Sequence, residues 1–271
     1  SGAQFDVVMS SAQQAAFETA LVEDFDSIQA RLSEVDVRTA TCRNAEETKR
    51  ILGELEQDVG LVKCNTLVIG LLCEALVAQG RAALGRLPAA ERGTSELLYK
   101  LGWLLGHMGK LQEARPLLEE AMQARRETLG DRHPDTLCSI DSMGLLLKYM
   151  GQLEGARPLL EEAVQGKKET LGDRHPNTLS SIGNMGLLLK AMGQLEEARP
   201  LYEEALQASR ETLGDRHPST LASINNMGML LQKMGKLEEA RPLLEESLQA
   251  RRRWATATRI RWARSATWAC Y

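Results

Sequence analysis

Three histidines, His133, His175 and His217, stand 42 residues apart, each followed by proline. Imidazole is a metal ligand and a proton carrier, so a regular histidine series first suggests a metal site. A metal needs several ligands on one ion. Side chains separated by a whole structural unit cannot converge that way, so these histidines are expected to cap turns instead. Glu119-Glu120, Glu161-Glu162 and Glu203-Glu204 look like acid/base pairs. Adjacent residues on a helix diverge, which leaves them as solvated surface charges. The five cysteines, Cys42, Cys64, Cys73, Cys138 and Cys270, have irregular spacing and form no CxxC pair. Neither a zinc site nor a disulfide framework is expected, and a reducing cytoplasmic setting fits best. With no GxGxxG, P-loop, GxSxG or HExxH, the expectation is no enzyme, no metal and no cofactor.

Recognition chemistry is the alternative, and charge limits the partners. The 271 residues carry a net charge of −4, but six arginines and no acid fall in 251–271. The rest holds 27 basic and 37 acidic side chains, a balance of −10. Such a body disfavours nucleic acid, which requires a basic face. The longest apolar run, Leu67 to Ala78, is broken by Gly70 and Glu74, so no membrane span or membrane partner is expected.

The elements that position any site are written in a repeat. Pro116, Pro158, Pro200 and Pro242 keep the same 42-residue step, as do Gly109, Gly151, Gly193 and Gly235. Each unit reads as two helices. From Pro134, a favoured first helical residue, Leu137, Ile140, Met143, Gly144 and Leu147 recur at three- and four-residue steps. Gly151 ends that helix, and a second begins near Leu153 and runs to Gly172. Pro116, Pro158, Pro200 and Pro242 fall inside the second helices, where each removes a backbone hydrogen bond and is expected to bend the helix.

Small residues mark close helix approaches: Gly102/Ala114/Ala121, Gly144/Ala156/Ala163, Gly186/Ala198/Ala205 and Gly228/Ala240/Ser247, with Leu118, Leu160, Tyr202 or Leu244 between the last two. This pattern, with its long period and recurring LG-x-x-HP-x-TL, resembles the kinesin light chain type of tetratricopeptide (TPR) repeat over residues 94–250. The resemblance implies an all-α fold, a right-handed superhelical solenoid of helix-turn-helix hairpins with a helical N-terminal region. The expected units are 94–133, 134–175, 176–217 and 218–250. It further implies a scaffold or adaptor that binds protein or peptide segments in a concave groove lined by the first helices.

Differences between near-identical copies point to that lining. Cys138/Ser180/Ala222, Asp141/Gly183/Asn225, Ser142/Asn184/Asn226, Leu145/Leu187/Met229 and Tyr149/Ala191/Lys233 vary along one helical stripe. The first unit offers Tyr99, Trp103 and His107 at steps of four, an aromatic patch of the kind that anchors partners. The groove set is therefore Tyr99, Trp103, His107, Asp141, Leu145, Lys148, Tyr149, Asn184, Leu187, Lys190, Asn225, Met229 and Lys233. Lys148, Lys190 and Lys233 suggest an acidic linear motif containing an aromatic or apolar residue. An exposed face that simply drifts, in a purely structural or truncated array, is the competing reading.

Residues 1–93 are expected to form helices that cap the array: 10–34, with Phe17, Leu21, Phe25, Ile28 and Leu32 on one face; Ala45 to Leu55; and a buried helix over Asn65 to Gln79. Self-association through the first of these, or through an uncapped C-terminal end, is the alternative use. The tail 251–271 holds three of the four tryptophans, which admits membrane or nucleic-acid binding as a third reading. Back-translated and read two bases later, however, it yields ETLGDRHPDTL and then GSISNMGML, the opening of another repeat. The tail is thus expected to be a repeat read out of frame.

Overall fold

The computed structural model describes residues 61–250. Every regular element among them is an α-helix. The first two expected N-terminal helices and the tail lie outside the described residues. The chain divides into two compact units, Ser1–Ala121 and Met122–Tyr271. No helix among the described residues is long and apolar enough to cross a membrane.

In the first unit, α1 (Leu61–Arg86) is followed by the short α2 (Ala89–Arg92), by α3 (Glu96–His107) and by the start of α4 (Leu111–Leu129). The third expected N-terminal helix is longer than 65–79, and over residues 73–86 it buries one face. Leu76, Val77, Gly80 and Leu84 are buried, whereas Glu74, Ala78 and Arg81 are exposed. That face packs on α3, where a Cβ at Gly80 would meet Leu101 at 3.2 Å. Lys110–Glu74 (2.6 Å) and Arg81–Glu113 (2.5 Å) tie α1 to the start of α4.

In the second unit, α5 (Pro134–Tyr149) and α6 (Leu153–Leu171), then α7 (Pro176–Ala191) and α8 (Leu195–Leu213), form hairpins. A third pairs α9 (Pro218–Lys233) with a helix over 237–250, α10. The histidines explain how the leading helices start. His133, His175 and His217 are extended N-caps whose Nδ1 accepts from the backbone N–H of Asp135, Asn177 and Ser219 at 3.1–3.2 Å. Proline then occupies the first helical position, where no N–H is needed. At the other end of α5, Gly151 adopts φ +78°, the left-handed conformation that favours glycine. Gln152 N–H then reaches back to Leu147 O at 2.9 Å.

The trailing helices run through their internal prolines: α4, α6 and α8 each span 19 residues. Pro116, Pro158 and Pro200 are all exposed, so the carbonyl each one frees lies on the water side of its helix, where solvent satisfies it.

Hairpins close tightly because small residues face large ones. A Cβ on Gly144 would fall 2.7 Å from Leu160 Cγ, and one on Gly186 2.8 Å from Tyr202 Cε1. Leu160 and Tyr202 are fully buried. Alanine at either glycine must displace the large partner, at a cost of about 1–3 kcal/mol. Successive hairpins are stitched by a repeated polar bond. Thr136, Thr178 and Thr220, all buried, donate through Oγ1 to the carbonyls of Arg125, Lys167 and Ser209 at 3.2–3.3 Å.

Candidate partner-binding surface

In the second unit, the leading helices α5, α7 and α9 lie side by side and carry the varying stripe. Tyr149 is 61% exposed and Met229 45%, and Leu129, Leu237 and Leu248 are exposed elsewhere in the unit. Leu145, Leu187, Asn184 and Asn225 are half-buried. Asn225 Nδ2 lies 3.4 Å from Met229 Sδ.

The three lysines form a column. Lys148 and Lys190 are half-buried, and Lys233 is exposed. Burial pushes the Lys148 ammonium below its ordinary pKa, and the neighbouring Lys190 charge pushes it further. Lys190 is lowered in the same way, by burial and then by Lys233. Nearby carboxylates would reverse these shifts. Among the described residues, none of the three takes part in an ion pair. Lys148 Nζ lies 3.8 Å from the centroid of the Tyr149 ring, and Lys233 Nζ donates to Lys190 O at 2.9 Å. These contacts partly solvate the cations without neutralising them.

Asp141 departs from the sequence expectation. It is 7% exposed and turned inward, not open to a ligand. Its Oδ2 accepts from Lys167 Nζ (3.0 Å) and Ser181 Oγ (2.8 Å), and Asn184 Nδ2 donates to both carboxylate oxygens at 3.2 Å. Lys167 also donates to Ser181 Oγ at 2.8 Å and is itself 2% exposed. A charge placed between packed helices needs this degree of pairing, because leaving it unpaired costs several kcal/mol. Asp141 therefore belongs to the interior, and the amide nitrogen of Asn184 is committed to it. Local periodicity gives no sign of this, since Lys167 lies on another helix. The available signal is that position 125/167/209 varies as Arg, Lys and Ser, and the lysine occurs in the repeat that has the aspartate.

The first unit holds the aromatic patch. Tyr99 and Trp103 are half-buried and His107 is exposed. The Trp103 and His107 rings stack with centroids 3.6 Å apart at 31°, and His107 Nδ1 sits 3.0 Å from Trp103 O. The histidine thus fixes one edge of the indole and leaves part of it open.

The comparisons with known proteins agree with this architecture. The tetratricopeptide repeat family model matches residues 93–169, 140–199 and 177–253, together more than half of the chain. Two crystal structures of nearly identical TPR-like repeats from a candidate kinesin light chain of Podosopora anserina are similar to it. One has 27% identity and a TM-score of 0.56, covering 69% of this chain and 90% of that one; the other has 28% and 0.54, covering 67% and 88%. BtubC (BKLC) from P. vanneervenii, at 16% identity and a TM-score of 0.57, covers 92% of this chain and 93% of its own, and shows the shared fold alone. No curated protein matches the chain. On the hairpins, their close glycine contacts and these matches, the chain belongs to the tetratricopeptide repeat family, with repeats of the kinesin light chain-like kind.

Proposed function

We propose that the second unit binds an extended, acidic segment of a partner protein along the stripe of α5, α7 and α9. Tetratricopeptide repeats support a protein-interaction scaffold, and such scaffolds are typically non-catalytic. The finer reading rests on one observation. Three lysines stand in a column with no acid paired to them among the described residues, Lys148 and Lys190 depressed by burial and by the next lysine, on a surface that also exposes Tyr149 and Met229. A ligand carboxylate relieves that repulsion, so part of its binding energy comes from removing an existing strain. The half-buried leucines beside the lysines suit an apolar or aromatic side chain on the same segment. In the first unit, the tilted Trp103–His107 pair offers a separate foothold for such a group.

Affinity is expected near the micromolar range, because a disordered segment loses entropy on ordering. The test is fluorescence anisotropy of a labelled acidic peptide with the full chain and with a Lys148→Glu, Lys190→Glu variant. The variant should lose about tenfold or more in affinity. Unchanged binding would remove the stripe from the reading.

A further inference from the structure

The column of lysines also carries a spacing, and the spacing points to the conformation and sequence period of the ligand. The helices α5, α7 and α9 pack directly on one another. Packed helices lie roughly 8–10 Å apart. The lysines stand on successive helices of this row, so their attachment points step by about one helix spacing. Lys233 occurs one residue later than strict repetition, with Gln232 at the matching place, and its ammonium rests on the Lys190 carbonyl beside the column. Leu145, Leu187 and Met229 form a second column with the same step.

An extended peptide meets such a ruler in one of two ways. In a β-strand, side chains on one face recur every second residue, at about 6.6 Å, or every fourth, at about 13 Å; neither matches. A polyproline II helix turns once every three residues and rises about 3.1 Å per residue, so one face recurs every 9 Å or so. That period falls inside the helix spacing. Resting on the peptide-binding reading above, we propose that the stripe takes a partner segment in polyproline II form with a carboxylate at every third residue, facing Lys148, Lys190 and Lys233. A second face of the same three-fold helix then lies over Leu145, Leu187 and Met229, and the third faces water. The ligand is a triplet repeat of acidic, apolar and open positions. Outside 251–271 the chain carries a balance of −10, so a polyanionic segment is held where a local cationic column outweighs that charge.

Peptides of equal length and composition, with glutamate at every second, every third or every fourth residue, separate these cases. Anisotropy is measured with the full chain, with Lys148→Glu, Lys190→Glu, and with Lys190→Gln, which copies Gln232 and preserves a fold seen elsewhere in the array; circular dichroism checks each variant. The every-third peptide should bind about tenfold tighter than the other two, with the preference shrinking in Lys190→Gln. Equal affinity for all three spacings overturns the period; if the charge-reversed variant still weakens them all, the acidic-peptide reading survives. No binding by any peptide overturns both. An oligothymidylate that binds as tightly as the best peptide overturns the proposal in favour of a polyanion surface.

Discussion

Two sets of basic side chains recur from hairpin to hairpin in the second unit and have opposite fates. On the trailing helices, Arg126, Lys168 and Arg210 each reach a glutamate on the following trailing helix: Glu162 at 2.6 Å, Glu204 at 2.9 Å and Glu246 at 2.9 Å. On the leading helices, Lys148, Lys190 and Lys233 meet only one another, a ring and a carbonyl. The first set joins neighbouring hairpins at their rims, each pair contributing little singly because both partners keep a share of solvent. In the second, Lys148 and Lys190 oppose the folded state, by desolvation and by repulsion from the next lysine. Repetition alone therefore does not say what a charge is for; the presence of a mate on the next helix does.

Five variants sharpen or break the contrast. The largest effect is expected at Asp141, the acid of the stripe that does have a mate. Asp141→Ala strands the Lys167 ammonium in the interior and should cost about 3–5 kcal/mol by chemical denaturation. Adding Lys167→Met should recover most of that loss, whereas no recovery would show that packing around Asp141, not its charge, is what matters. Next is Lys148→Glu with Lys190→Glu, whose tenfold loss of acidic-peptide affinity corresponds to about 1.4 kcal/mol while thermal stability stays near that of the parent. Lys168→Glu, on the trailing side, should do the reverse: up to about 1 kcal/mol of stability lost against Glu204, and peptide affinity unchanged. Equal effects of the two on binding would erase the distinction between the faces.

The smallest effect carries a sign. Lys190 has a lowered pKa in the folded chain, so the unfolded chain holds its proton to higher pH. Stability from this group is at its lowest below the depressed folded value, and it rises with pH from there up to the ordinary lysine value of 10.5. Lys190→Gln should flatten that rise and raise stability at neutral pH by about 0.5 kcal/mol, read as a small upward shift in Tm. A decrease in Tm would mean that Lys190 has a stabilising contact.

Much of the fold was legible because it rests on local rules. Pro134 and Gly151 bracket α5 as their conformational limits require, and the histidines, expected to cap turns, cap the helices that follow them. Gly144 and Gly186 announced close helix contacts that the structure places under Leu160 and Tyr202. What escaped depends on where helices point after packing. Asp141 sits on the varying stripe by periodicity, yet Lys167 on α6 and Ser181 on α7 hold its carboxylate between the packed helices. The column of lysines was visible as residue types; that Lys148 and Lys190 are each depressed by burial and by the next lysine required the neighbouring helices. The helix expected over 65–79 was found but underestimated: it runs from Leu61 to Arg86.

The Asp141–Lys167 pair has a consequence for assembly. Hairpins this alike are interchangeable parts, and tandem copies invite a leading helix to clasp the wrong trailing one, within a chain or between two chains. At α6 such a mistake would bring Gly183 or Asn225 where Asp141 belongs, leaving Lys167 shut away from water beside a neutral group. At α8 it would set Asp141 opposite Ser209. Either mismatch strands a charge in the interior, so this one keyed joint tells α5 and α6 apart from their look-alikes and keeps the parts of the array in order.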